Sequence, residues 1–254
     1  DPRKASSSAP TVVTATATAG AALGSFQVEV VSLASAQRLS SAAYAGASSV
    51  IGTGTLAVSV GGESFSVAID SGNNTLAGIR DAINAASDNK GVTASVLNTT
   101  EGARLVISAR NTGAANAITV TRSGGDGGLD ALVYNPGTLV NLELRSAAAD
   151  AVVRVDGFNF SSASNRLTGA VDGVSFDLLS QAPGEIKTVS VARDTDSARK
   201  SVEAFISAYN TTIGSLNAAT RYDAATKTGS SLTGDPLPRA VSAELRRIVG
   251  STGG

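Results

Sequence analysis

The sequence predicts an α+β multidomain chain, mainly antiparallel β structure to about residue 192 and α-helical beyond it. Apolar and polar residues alternate at period two through most of the first part, interrupted by short Gly- and Asn-containing turns that suit antiparallel pairing. At Arg193-Asp194 the period changes to that of an amphipathic helix, with Val202, Phe205, Ile206, Tyr209, Ile213 and Leu216 on one stripe.

Residues 1–20 are polar and rich in Thr and Ala, which suits a weak edge strand or a flexible lead-in. A firm strand follows, in which Phe26, Val28 and Val30 alternate with Gln27 and Glu29. Leu33, Ala36, Gln37 and Leu39 continue it less regularly, and residues 44–52 read as a linker of small residues. Leu56, Val58 and Val60 form a strand that Gly61-Gly62 turns into a partner carrying Phe65, Val67 and Ile69.

Asn73-Asn74 offers an N-cap for a short helix with Leu76, Ile79 and Ile83 on one face. Gly91 suits its stop or the turn after it. Val92, Ala94 and Val96 make the next strand, Glu101-Gly102 turns, and Leu105-Val106-Ile107 returns, with Ile118-Thr119-Val120 after it. The result is a β-β-α-β-β-β unit.

Residues 150–191 partly repeat this pattern. Val153 to Phe158 resembles Val58 to Glu63, and Asn165 to Gly169 resembles Asn74 to Gly78, so the second stretch reads as hairpin, polar cap and short helical turn. Val174 to Leu178 and Thr188 to Val191 then read as strands. The helix after Arg193, with Asp196 as its N-cap, spans about five turns. A polar loop covers residues 222–231. Asp235-Pro236 opens a second helix, Asp at the cap and Pro in the first turn, with Leu237, Val241, Leu245 and Ile248 on its apolar face. Two such helices form an αα-hairpin that needs further partners.

Composition narrows the chemistry. The 254 residues contain no His, Cys, Met or Trp. The usual acid–base group near neutral pH is therefore missing, as are thiolate nucleophiles, disulfides and Cys-ligated metals. The hydrophobic fraction of 42% is ordinary for a folded chain, whereas only 4% is aromatic, so the cores rest on Val, Ile, Leu and Ala. The formal net charge is −1 and no basic patch stands out, which leaves nucleic-acid binding without support. No apolar run approaches the roughly 20 residues of a membrane span. The chain starts at Asp1 without Met and ends Ser251-Thr252-Gly253-Gly254, and it reads as an excised piece of a longer protein.

Each motif that could carry chemistry has a structural explanation. Gly124-Gly125-Asp126-Gly127-Gly128 lacks the repeated Asp ligands of a calcium loop and the Lys-Ser/Thr of a phosphate loop, so it reads as a flexible hairpin or loop. Asp70 and Asp81, or Asp194 and Asp196, sit where caps and turns favour Asp. Arg246-Arg247 suits the C-terminal half of a helix or an interface. Phe205 and Tyr209 read as core, or else as a subunit contact. No catalytic, cofactor-binding or metal-binding residue is assigned, and no cofactor is implied.

The motifs, taken in order, resemble a known family. Ser25-Phe26-Gln27-Val28-Glu29-Val30 followed by Leu33 to Leu39 is similar to the N-terminal block of the flagellar cap, or hook-associated protein 2, family. Thr75 to Asn84 with Gly91-Val92-Thr93-Ala94-Ser95 resembles its inserted flagellin-type module. Val155-Asp156-Gly157, Ser164-Asn165, Asp172-Gly173-Val174, Phe205 to Asn210 and Leu232-Thr233-Gly234-Asp235 resemble its C-terminal block. Each motif is weak alone; the ordered set, across residues 10–249, is specific.

The resemblance implies two mainly antiparallel β domains, one inserted in the other, plus an α-helical leg domain. Residues 1–9 would be a flexible lead-in or leg remnant. Residues 10–52 and 149–192 would form the inner β domain, 53–148 the inserted outer α+β domain, and 193–254 a truncated leg whose coiled-coil ends are absent.

It also implies a non-enzymatic cap at the distal end of the bacterial flagellar filament. The expected partners are further copies of itself in a ring, flagellin, a hook–filament junction protein and an export chaperone in the cytoplasm, with no nucleic acid and no membrane insertion. The expected location is the extracellular flagellum tip, reached through the flagellar export apparatus. The alternatives are a surface adhesin binding host mucin or glycans through the outer β domain, or a hook–filament junction protein. An enzyme would need a carboxylate pair of the glycosidase kind.

Overall fold

The structure, a computed structural model, describes residues 2–251; Asp1 and the terminal 252–254 lie outside the described residues. The first strands are β1 (Arg3–Ser7), β2 (Val13–Ala17), β3 (Gly24–Ser32), β4 (Arg38–Ser40), β5 (Gly54–Val60) and β6 (Glu63–Ile69), followed by helix α1 (Leu76–Ala85). Next come β7 (Val92–Thr99), β8 (Gly102–Ala109), β9 (Thr119–Ser123), β10 (Tyr134–Asn135), β11 (Leu139–Val140) and β12 (Glu143–Ser146). The chain continues with β13 (Ala151–Val155), β14 (Phe158–Ser162), β15 (Arg166–Val171), β16 (Val174–Leu178) and β17 (Lys187–Arg193). Helix α2 (Thr195–Thr220), the small hairpin β18 (Tyr222–Asp223) and β19 (Thr228–Gly229), and helix α3 (Pro236–Ser251) complete it. The fold is mixed α+β with antiparallel sheets, as the alternation predicts. It divides into one compact unit of residues 3–192 and another from Arg193 onward.

The β unit holds two separate cores. One lies between a sheet of order β1-β17-β3-β13-β14 and a sheet of order β15-β16-β2. Val28, Val30, Val153, Val155, Val189 and Phe176 fill it, from the inward positions of alternating strands. Phe176 is its only fully buried aromatic residue among those described, so Phe176→Ala is expected to destabilise this core by about 3–5 kcal/mol. A urea melt reads this loss, and an unchanged midpoint would show that the site collapses without a cavity.

The other core lies between a sheet of order β11-β10-β9-β5-β6 and a sheet of order β12-β4-β8-β7, closed by α1. Leu76, Ile79 and Ile83 of α1 are all buried, as their spacing predicts. The cap differs from the expected Asn73-Asn74: it is Thr75, whose side chain accepts from the Gly78 amide at 3.1 Å. Asn73 is instead used one step earlier, where its Oδ1 accepts from the Asp70 amide. Helix α1 ends before Gly91, which lies in the turn into β7, where a Cβ would sit 2.2 Å from Val60 Cγ1.

The structure departs from the sequence reading at four further places. Residues 3–7 form an ordered strand, β1, hydrogen-bonded to β17 at the sheet edge, which is the edge-strand reading and not the flexible lead-in. Residues 165–169 are not helical; Asn165 lies in a bend and 166–169 belong to β15, which pairs with β16 and bulges between Thr168 and Val171, where Gly169 has φ of +77°. The cap of α2 is Asp194 rather than Asp196, accepting from the Ser197 amide at 2.9 Å.

Residues 36–52 pack in the second core rather than the first. Leu39 is fully buried there opposite Ile107, and Ser41 exchanges backbone and side-chain bonds with Leu105. The two cores communicate through a narrow joint. Ser35 and Ala149 bridge antiparallel, with bonds of 2.9 and 3.2 Å. On the first-core side of this joint, the Asn165 side chain clamps Ala34 at both its amide and its carbonyl, at 2.7 and 3.1 Å.

Candidate assembly surfaces

The carboxylates singled out in the sequence are each engaged in local structure. Asp70 accepts from the Gly72 amide at 2.8 Å. Asp81 takes a two-pronged bond from Arg80 at 2.8 and 2.9 Å, and this bond holds its carboxyl below the usual carboxylate range. Asp194 caps α2 and Asp196 lies in its first turn, where a negative charge suits the helix dipole. Among the described residues no group of three or more His, Cys, Asp or Glu has metal-binding geometry. No described helix is long and apolar enough to cross a membrane.

The Gly124–Gly128 segment is a clasp rather than a free loop. Asp126 Oδ1 accepts from the amides of Thr53 at 3.0 Å and Gly128 at 2.9 Å, and these backbone bonds hold its carboxyl below the usual range. A fork from Arg122 to Asp130, at 2.6 and 2.7 Å, braces the same segment. Gly125 has φ of +74°, and a Cβ there would lie 1.8 Å from the Thr53 carbonyl oxygen. Gly125→Ala is therefore expected to cost more than about 1 kcal/mol, through strain and displacement of the clasp. Thermal melting checks this; an unchanged melting temperature would mean that the clasp can shift freely.

No sequence motif points to a depression of about 650 Å³ across the sheet of β12, β4, β8 and β7. Arg38, Arg104, Arg145, Glu101 and Glu143 surround it, above Leu97 and Val106. Arg104, its side chain only 15% exposed, bonds Glu101 at 2.6 Å and the Ser41 carbonyl at 2.9 Å, and lies 3.8 Å from Glu143, which also pairs with Arg145. These residues are scattered between positions 38 and 145, and only strand pairing assembles them. The one usable signal was the charged residue at alternate positions of otherwise apolar strands.

The helical unit, taken by itself, exposes apolar surface. Phe205 is 57% exposed and Ile206 50%, so the core reading of Phe205 does not hold within this chain; no residue of α2 is buried. Tyr209 is half-buried and stacks on Phe205, ring centroids 6.4 Å apart. Leu245 and Ile248 of α3 complete a small apolar groove with these two rings, about 250 Å³ in volume. Helix α3 opens at Asp235-Pro236 as expected, with Asp235 accepting from the Leu237 amide. Arg247 forks onto Glu244 one turn earlier, at 2.9 and 2.6 Å, whereas Arg246 is exposed.

Residues 148–253 match the flagellar hook-associated protein 2 C-terminus, 55–111 the flagellin hook IN motif, and 1–37 the flagellar hook-associated protein 2 N-terminus. The crystal structure of FliD (HAP2) from Pseudomonas aeruginosa PAO1 superimposes with a TM-score of 0.68 at 35% identity, over 79% of this chain and 93% of that one. This chain belongs to the flagellar hook-associated protein 2 family.

The motif resemblance is thereby borne out, and so is the fold class. The D1-D2-D3 domains of the Escherichia coli cap protein superimpose with a TM-score of 0.83 at 26% identity, over 98% of this chain and 69% of that one. The B-type flagellar hook-associated protein 2 of Pseudomonas aeruginosa is 36% identical over 264 residues, which cover 96% of this chain and 55% of the relative. This family member thus spans about half the length of the curated relatives it matches.

Proposed function

We propose that these residues form the central part of a structural, non-enzymatic cap at the distal end of the bacterial flagellar filament. In this reading the protein assembles as a ring of its own copies beyond the hook–filament junction protein. It retains flagellin that emerges from the filament channel and promotes its folding and insertion. Residues 3–192 supply a rigid plate built on two β cores, with 36–148 as the outer, inserted domain. The helices after Arg193 supply legs that dock reversibly on the filament end.

The observation that carries this reading is the exposed apolar stripe of α2, Val202, Phe205 and Ile206, on a chain whose fold superimposes on cap proteins. An exposed apolar stripe of this kind usually marks an interface. Secretion through the flagellar export apparatus, with a cytoplasmic chaperone, completes the proposal.

A strain lacking the gene tests it. Such cells are expected to shed monomeric flagellin into the medium and to bear short filaments, and the full-length gene product supplied from a plasmid is expected to reverse both. Continued leakage by the complemented strain would remove the capping role.

A further inference from the structure

We infer that β7 is a self-pairing edge, through which two copies of this chain join their outer sheets in an antiparallel, two-fold contact centred on Leu97. The inference is independent of the proposed capping role and of the ring. It starts from the hydrogen bonds along the free side of β7. At Val92 the amide donates to Asn89 Oδ1 at 3.1 Å and the carbonyl accepts from Arg110 Nε at 3.0 Å. At Ala94 the Asn84 side chain takes both groups, at 2.9 and 2.7 Å. Side chains thus cover the first half of this edge, as soluble proteins do to stop strand addition.

The second half has no such cover. Outward backbone groups recur every second residue, so those of Val96 and Asn98 point the same way as those of Ala94. The neighbouring strand confirms the phase. On β8, Leu105 and Ala103 lie opposite Val96 and Asn98, and their backbone groups turn away from β7 to bond Ser41 and Tyr44. No side chain among the described residues bonds the backbone of Val96 or Asn98. Between them Leu97 is 51% exposed.

The occupant follows from the length and charge of the open stretch. It runs from Ser95, just past the Asn84 cover, to Thr99, just before the turn at Thr100-Glu101 carries the chain away to β8. One antiparallel register pairs this whole stretch with itself: Leu97 on Leu97, with Val96 opposite Asn98 of the other copy. That register makes four backbone hydrogen bonds and sets the two Leu97 side chains together in a non-hydrogen-bonded pair, where side chains approach closest.

Past the paired stretch, the turn that carries Glu101 of one copy comes near Thr93 of the other. There the Arg110 guanidinium is anchored, through its Nε, on Val92 and Thr93 and bonds no carboxylate among the described residues. Glu101 already bonds Arg104 but is 70% exposed, so it can accept a second cation. Two such charge pairs flank the four hydrogen bonds. The contact is short, so the pairing is weak and is read best by covalent trapping.

The chain has no cysteine of its own, which makes the test direct. In a two-fold pair, Cβ atoms at position 97 lie about 4.5–5.5 Å apart, close to disulfide spacing. Under mild oxidation Leu97→Cys is expected to form a covalent dimer at least tenfold faster than Ser66→Cys, an exposed position on the edge strand β6. Adding Val96→Pro removes one outward donor without touching the β8 ladder, and is expected to slow trapping several-fold. Adding Glu101→Lys is expected to slow it as well, by repulsion from Arg110. Thermal melts confirm that each variant is folded.

Trapping of Leu97→Cys no faster than the control, or trapping indifferent to Val96→Pro, would overturn self-pairing. So would a Leu97→Cys chain that stays single but is captured by an unrelated extended peptide, which would assign the edge to another partner.

Discussion

Replacing Phe205 and Ile206 together by Ala in the full-length protein is expected to abolish capping and swimming while both β cores stay folded. The two side chains are 57% and 50% exposed here, so their removal is expected to alter the stability of this chain by no more than about 0.5 kcal/mol. On a docked leg they would be buried. Two such side chains then contribute on the order of 3–6 kcal/mol to docking. At about 1.4 kcal/mol per tenfold, that is a hundredfold or greater loss of affinity for the filament end. Soft-agar motility and flagellin in the culture medium read the loss, and the melts of the β unit supply the control. Cells that swim normally with full-length filaments while carrying both changes would show that the leg is not the working part.

What the sequence made legible follows from local periodicity. Phe65, Val67 and Ile69, or Leu76, Ile79 and Ile83, declare their faces within one element, and the structure buries each of them. The break at Arg193 is equally local, because a stripe of helical spacing begins there. Caps were less legible. Asn73, Asn74 and Thr75 are all good N-caps, as are Asp194 and Asp196, so residue type alone does not choose among neighbours. Competing bonds decide: Asn73 is used by Asp70 and Ala68, which leaves the cap to Thr75.

The helical reading of residues 165–169 failed for a different reason. The segment copies the polar-cap pattern of residues 74–78, yet no apolar stripe follows it, and Asn165 is engaged by Ala34, which lies 131 positions away. The surfaces were the least legible. Arg104 and Glu143 meet only because β4 joins β8 to β12, and the open half of β7 is defined by where Asn84 stops covering it. Pairings of this range leave no trace in a window of ten residues.

The boundary of the inserted domain can be tested by deletion. Deleting residues 36–148 and joining Ser35 to Ala149 through a short Gly/Asn turn is expected to leave the first core folded and cooperatively melting. The two ends already form an antiparallel bridge, which sets their Cα atoms about 4.5–5.5 Å apart, a span that a tight turn closes. Every buried residue of that core, from Val13 to Ala34 and from Ala151 to Val191, remains.

The deletion removes bonds from the Gly113 amide to Ser35, from Thr112 to Ala163 and from the Ala114 amide to Asp150. Those cost about 0.5–1.5 kcal/mol each, a tolerable sum for a core of this size. A deletion of 53–148, where the sequence alone placed the boundary, is expected to be worse. It would keep Leu39 but remove Ile107 and Leu105, against which Leu39 and Ser41 are held. Exposing Leu39 forfeits about 1.5–3 kcal/mol, and Tyr44 and Ile51 lose their packing with it. Urea melts of the two deletions side by side decide the matter. A broad, non-cooperative transition for the 36–148 deletion, or a higher midpoint for the 53–148 deletion, would show that the two cores are not independent and that the joint at Ser35 and Ala149 is not where one domain enters the other.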